Sequence, residues 1–224
     1  MTTILYSTCP YLASLIVFKT STIYVIILQI GVMAVSKKLI KDLIKTGRKI
    51  EDCGLVIGEG GNISAKAGDV IYIKVKGASL ASKKQADYIP IDIKTGKPLR
   101  EDGVPSTEIH MHLACYRARK DLGAVVHSHP VFITALGISA VRLERVSYEA
   151  KIYLKGGIAR IPYIKPGTKE LGRAVGKAIR KHNIVMLKRH GLLTVGRDIK
   201  EAFLRTLAAE RAAMVYAYSK KAKT

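Results

Sequence analysis

The run Leu122-Gly123-Ala124-Val125-Val126-His127-Ser128-His129 constrains the fold more than any other stretch of the chain. It is nearly unbroken in apolar residues before its two histidines. Such a run reads as a strand buried on both faces, which requires a sheet covered by other elements on either side. The end of the run is polar. Side chains two apart on a strand project to the same side, so His127 and His129 present two imidazoles together just before Pro130.

The sequence on either side supplies the covering elements. Leu39, Ile40, Leu43, Ile44 and Ile50 recur at helical spacing between lysines and predict an amphipathic helix ending near Gly54. A glycine-rich loop, Gly58 to Ser64, precedes two β-rich runs, Val70 to Val75 and Tyr88 to Ile93, the second closing on the Lys94-Thr95-Gly96-Lys97 turn. Pro105-Ser106-Thr107-Glu108 starts a helix reaching about Lys120, and Thr168 opens another carried by Leu171, Val175 and Ile179. Ile184 to Val195 reads as one further strand, and Asp198-x-x-Glu201 as a capping box opening the last helix. No repeat or linker splits this region, so an α/β domain over residues 34–224 is expected.

Residues 1–33 are of a different kind. They carry one charge, Lys19, and no acid. The uncharged stretch from Thr20 to Val35 falls short of the roughly 20 apolar residues a membrane-spanning helix needs. Met1-Thr2-Thr3-Ile4 lacks the basic start of a secretory signal. Three readings stand: a membrane anchor, a peripheral apolar arm, or translated sequence upstream of a start at Met33. The last fits the amphipathic pattern that begins directly after it, so a chain starting at Met33 is expected to fold and act, and no membrane partner is expected.

The chain has 38 Lys+Arg against 17 Asp+Glu, a formal net charge of +21. That suits a nucleic-acid binder, but the basic residues are spread without a block, and no zinc finger, aromatic RNA-binding pair or helix-turn-helix pattern accompanies them. A solvated lysine-rich surface that also draws in anionic substrates is the expected alternative, with no nucleic-acid partner. Cys9, Cys53 and Cys115 are odd in number and widely spaced, which excludes a disulfide scaffold and favours a reducing, cytoplasmic compartment.

His190, after the apolar Ile184 to Leu187, adds a third imidazole at a strand or strand end. Three histidines with one position left for a carboxylate, water or substrate is the ligand count of a catalytic zinc site. The plainer alternative is polar residues at strand ends. Glu108 and His112 are four apart on one helical face, as a stabilising pair would be. His110 turns away from that face and takes no role, and His182 reads as a helix-end surface residue. The loop Gly58 to Ser64 can turn backbone N–H groups toward an anion, or be only a tight turn.

Taken in order, Gly61-Asn62-Ile63-Ser64, Gly77-Ala78-Ser79, Ser106-Thr107-Glu108, His127-Ser128-His129 and His190-Gly191 resemble the class II aldolase/adducin family over residues 36 to about 218. The resemblance implies a three-layer α/β/α domain with a largely antiparallel central sheet. It also implies a homotetramer with active sites between subunits. By the same resemblance His127, His129 and His190 bind Zn2+, and Glu108 is both a ligand and the catalytic acid/base. Gly61, Asn62, Gly77, Ser79, Ser106 and Thr107 would hold a sugar phosphate, and Tyr148 would supply an acid to a neighbouring subunit's site.

The implied reaction is zinc-dependent cleavage of a ketose 1-phosphate to dihydroxyacetone phosphate and a short aldehyde. Alternatives of the same fold are an L-ribulose-5-phosphate 4-epimerase, a sugar-phosphate dehydratase, or a non-catalytic adducin-like binding module. Two positions depart from the pattern. Glu59 replaces a small hydroxyl residue in the loop, and Lys76 stands where a threonine is usual, adding a cation to the phosphate set.

Overall fold

The computed structural model describes residues 36–137 and 141–221, so the expected apolar extension over residues 1–33 lies outside the described residues. The chain divides into a first unit, residues 1–38, and a second, Leu39–Thr224. In chain order the elements are helix α1 (residues 36–52), strands β1 (Asn62–Ala67), β2 (Val70–Lys74) and β3 (Tyr88–Asp92), then helix α2 (Ile109–Ala118). Strand β4 (Ala124–Ser128), helices α3 (Val131–Leu136) and α4 (Tyr148–Tyr153) and strand β5 (Ala159–Ile161) follow. Helix α5 (Lys169–Ile179), strands β6 (Ile184–Leu187) and β7 (Gly191–Gly196) and helix α6 (Ile199–Lys221) complete the chain.

The expected buried strand is β4, and every one of its residues is buried. It lies at the centre of a seven-stranded sheet ordered β3-β2-β1-β4-β7-β6-β5. Only the β5–β6 pair is parallel; the other five pairings are antiparallel. Alternation along the strands divides the core. Val125 joins Ile73, Ile91 and Val195 against Met111 and Cys115 of α2 and Val175 of α5. Its neighbours Ala124 and Val126 join Ile63 and Ala65 against Leu43 and Ile50 of α1 and Phe203 of α6. A third cluster gathers Ile184, Met186 and Leu192 with residues of α3, α4 and α6. Among the described residues no helix is long and apolar enough to cross a membrane.

The structure changes two expected boundaries. Asn62 to Ser64, read as loop, are already paired in β1, with Asn62 opposite His127 and Ser64 opposite Val125. Ile184 to Val195 is not one strand but the β6–β7 hairpin, with Leu187 opposite Gly191. The break falls at Lys188-Arg189-His190, where Arg189 adopts a left-handed backbone with φ of 56°. Apolar content predicted the strands and could not show the turn inside them. The short elements α3, α4 and β5 carry too few residues for a periodic signal.

Helix starts follow the sequence closely. The Thr168 side chain accepts from Leu171 N at 3.2 Å, and Asp198 accepts from Glu201 N at 2.7 Å. The Glu201 carboxylate returns to Arg197 N at 2.7 Å, one residue earlier than a standard capping box. The start of α3, which follows His129 and Pro130, is capped from a distance. The buried Glu210 of α6 accepts from Phe132 N at 2.9 Å and from Ile133 N at 2.8 Å. Glu210→Ala leaves those two donors unpaired and should lower stability by about 1–3 kcal/mol. Thermal unfolding checks it, with Glu210→Gln expected to lose less because its amide oxygen still accepts.

Candidate metal centre

Four side chains from separate parts of the chain converge. Glu108 is the residue at the start of α2, His127 lies on β4, His129 follows the strand, and His190 sits in the β6–β7 turn. Their ligating atoms all lie within 4.8 Å of one another. His127 Nε2 is 2.9 Å from Glu108 Oε2 and 3.1 Å from His129 Nε2, and His190 Nε2 is 3.2 Å from Glu108 Oε1.

The protonation pattern follows from one contact. His127 Nδ1 lies 3.0 Å from the Leu192 carbonyl oxygen, which can only accept, so Nδ1 carries the proton. On the neutral ring, His127 Nε2 then presents a lone pair to a carboxylate and to another imidazole nitrogen. Acceptors facing acceptors in a buried site repel unless a proton or a cation lies between them. Glu108 Oε1 and His190 Nδ1 are also buried without hydrogen-bond partners. Three imidazoles and one carboxylate are the donor set of a divalent transition metal, zinc above all, so the residues fit such an ion.

The surroundings shift the titrations. Burial alone would raise the Glu108 carboxyl, but the His127 and His190 imidazoles outweigh it and hold the group well below the usual carboxylate range. Burial lowers His129 to about 4, with His127 and His190 adding to the shift. The ring of His129 is therefore neutral near pH 7.

Backbone geometry fixes the approach of the glycine loop to β4. Gly61 has φ of 68°, and a Cβ there would lie 2.6 Å from Val56 Cγ1 and 2.8 Å from the His127 carbonyl oxygen. No other residue fits without displacing the strand. Beside these four side chains lies a cavity of about 470 Å³ whose walls include Gly61, Lys74, Lys76, Gly77, Ser106 and Thr107. Most of the expected phosphate contacts therefore share one space with the imidazoles.

Three expected residues sit otherwise. Ser79 Oγ donates to Glu51 Oε2 at 2.7 Å, and Ser79 is not among the residues of the cavity wall. The Asn62 amide lines the cavity but is occupied, donating from Nδ2 to Glu108 Oε2 at 3.1 Å. Tyr148 begins α4, is 75% exposed and is not in the cavity wall. Glu59 and Lys76, the two departures from the pattern, both line the cavity.

Lys74 was missed by the sequence reading. It is buried, and its ammonium donates to the Glu59 and Ala78 carbonyls, tying the glycine loop to the Gly77 turn. Burial lowers its pKa against the opposing pull of Glu59, Asp87 and Glu51. A lysine at an inward position of an apolar strand was the available signal. His112 does not pair with Glu108 directly: its ring lies 2.6 Å from Asn62 Oδ1.

Comparison with known proteins bears on these residues. Residues 41–217 match the family described as the class II aldolase and adducin N-terminal domain. An L-fuculose phosphate aldolase of Methanococcus vannielii is 34% identical over 174 residues, covering 78% of this chain and 93% of that protein. A 5-methylthioribulose-1-phosphate/5-deoxyribulose-1-phosphate aldolase of Escherichia coli O45:K1 is 36% identical over 159 residues, covering 70% of this chain and 73% of its own length. A solved L-fuculose 1-phosphate aldolase superposes with a TM-score of 0.73 at 30% identity, covering 82% of this chain and 87% of that one.

The folded-state pKa of His129, about 4, lies below its ordinary 6.5, so the unfolded chain takes up the proton first as pH falls. The stability this ring contributes is whole above about 6.5 and is lost as pH falls toward 4. Glu108, whose pKa is also depressed, loses its contribution below its ordinary 4.5. Chelator-treated protein should therefore melt at progressively lower temperature from pH 6.5 downward, and His129→Phe should flatten the upper part of that slope.

Proposed function

We propose a function on the premise that this chain belongs to the class II aldolase and adducin family, an enzyme of the aldolase, or lyase, class. The reading is a zinc-dependent aldolase that cleaves a ketose 1-phosphate to dihydroxyacetone phosphate and a short aldehyde. The observation that carries it is a buried Glu108 set against three imidazoles at the wall of a cavity that also exposes Lys76. The names of the relatives, aldolases of fuculose phosphate and of deoxyribulose and methylthioribulose phosphates, support a ketose 1-phosphate as the substrate class. The core clusters on opposite strand faces support a three-layer α/β/α architecture, and the strand pairing a largely antiparallel sheet.

His127, His129 and His190, with Glu108, would hold a divalent ion, which would supply Lewis acidity for the substrate's ketone oxygen and for the negative charge that develops there. The residues of the chain do the rest. Glu108 is close enough to ligate, and in this reading it moves the proton at the nucleophilic carbon, taking it and returning it. Backbone N–H groups of Gly61 and Gly77, the hydroxyls of Ser106 and Thr107, and Lys76 hold the phosphate. Lys74 holds the two loops that shape its seat. Asn62 and Ser79 act in this reading through Glu108 and Glu51 as well as through the substrate.

Tyr148 is the proposed acid for the aldehyde oxygen. Its 75% exposure supports a role in a neighbouring subunit's site, and with it a homotetramer. Cys53 and Cys115 are free thiols, and Cys9 lies outside the described residues, which supports a reducing cytoplasmic setting.

Purified protein mixed with L-fuculose 1-phosphate or 5-deoxyribulose 1-phosphate should release dihydroxyacetone phosphate, stop after chelation and recover with Zn2+. Glu108→Gln should lose about 10²–10⁴-fold in both cleavage and deuterium exchange into dihydroxyacetone phosphate. Tyr148→Phe should lose cleavage alone, because exchange involves no aldehyde. A zinc-loaded wild type that neither cleaves nor exchanges would overturn the aldolase reading, and turnover of L-ribulose 5-phosphate would move it to the epimerase.

A further inference from the structure

Behind Glu108 runs a line of buried polar side chains which, beyond Asn62, no step of the reaction uses. Asn62 and Ser64 lie two apart on β1, and Glu108, His112 and Tyr116 lie four apart at the start and along one face of α2. Two strand residues advance about 6.6 Å and four helix residues about 6 Å, so the two rows stay in step where the strand and helix lie side by side. The contacts follow that match. Asn62 Nδ2 donates to Glu108 Oε2 at 3.1 Å, and Asn62 Oδ1 lies 2.6 Å from His112 Nε2. His112 Nδ1 lies 2.7 Å from Ser64 Oγ, which is 2.8 Å from the Tyr116 hydroxyl. The Tyr116 hydroxyl also donates to the Ser64 carbonyl at 3.1 Å.

The directions of the bonds from Ser64 to Glu108 are set from the Glu108 end. A carboxylate only accepts, so the Asn62 amide must turn Nδ2 toward it and Oδ1 toward His112. His112 must then donate from Nε2. The ring is fully buried and its pKa is lowered, first by burial, to about 3, so it is neutral and its Nδ1 accepts from Ser64 Oγ. Donors therefore point from Ser64 through His112 and Asn62 to Glu108. Bonds aligned in this way strengthen one another.

A stabilising pair between His112 and Glu108 would need none of this order. Resting on the metal-site reading above, we propose that His112 is a positioning residue which, through Asn62, orients the Glu108 carboxylate toward the three imidazoles and so sets the affinity of the site for its divalent ion. His112 itself touches neither substrate nor ion. Its function is to hold the Asn62 amide in the orientation the carboxylate requires, by giving Oδ1 a donor so that Nδ2 stays turned to Glu108.

The substitutions that separate this from packing are His112→Gln, whose terminal amide can still donate where Nε2 does, and His112→Met, which fills the space without a donor. Zn2+ alone, titrated against a chromophoric chelator, should bind His112→Met about 10–100-fold more weakly than wild type, the range for losing a partner that orients a metal ligand. His112→Gln should recover to within about threefold, well inside that loss. The visible absorption of the Co2+-loaded protein should change in His112→Met and stay wild-type in His112→Gln, since the coordinating carboxylate moves only in the first. Should His112→Met fail to fold, Ser64→Ala tests the same line, with a smaller loss of Zn2+ affinity expected.

Wild-type Zn2+ affinity and Co2+ spectrum in His112→Met would overturn the inference and leave the metal site intact. Equal losses in His112→Gln and His112→Met would also overturn it, because packing and not the donor would then be what counts. A wild-type chain with no affinity for Zn2+ or Co2+ would overturn the metal-site reading and this inference together.

Discussion

A carboxylate taken out of water beside three imidazoles is the interaction on which the rest of the site depends. Glu108 lies within 2.9 Å of His127 and 3.2 Å of His190, and an isolated buried charge there would be strongly unfavourable. The charge is sustained by the Asn62 amide on one side and, on the other, by the proton or cation that must lie between the carboxylate and the imidazole nitrogens. Every segment that brings one of those neighbours must therefore be held to within a few tenths of an ångström. The sheet does this through β4, whose partner β1 sets Asn62 opposite His127 and whose partner β7 sets Leu192, the acceptor of the His127 proton, beside it.

Two of the four candidate ligands stand outside regular elements, and each is fixed by other means. His129 follows β4, where its backbone N–H donates to the Leu55 carbonyl at 2.8 Å. Two residues later α3 begins, capped by Glu210 from α6. His190 belongs to a hairpin turn, and its N–H donates to the Leu187 carbonyl at 3.1 Å. A turn of this kind lets an imidazole leave the plane of the sheet and face the start of α2. The left-handed Arg189 is the conformational cost of that placement.

Charge is arranged differently in the two halves of the cavity. The imidazoles surround one carboxylate, while Lys74 and Lys76 stand toward the glycine loops. Glu59 also borders the cavity, so the lysines there do not form an unopposed basic patch. Lys74 is already committed to two carbonyls, which leaves Lys76 as the lysine of the cavity wall that is free to meet an anion. The surplus of positive charge along the chain thus has a local counterpart where an anionic substrate would enter.

The sequence by itself determined the central strand, which residues were candidates for the metal site, the helix starts at Thr168 and Asp198, and the α/β class. All of these rest on local periodicity or short-range hydrogen bonding, which the chain carries wherever it folds. Only the tertiary structure decided that Glu108, His127, His129 and His190 meet, because their meeting depends on a strand order in which β1 and β7 flank β4. It also broke Ile184–Val195 into a hairpin and turned Ser79 toward Glu51. Asn62 shows the division most plainly. The motif marked it as important, but its partners, Glu108 and His112, lie on a helix whose register against β1 no local pattern contains.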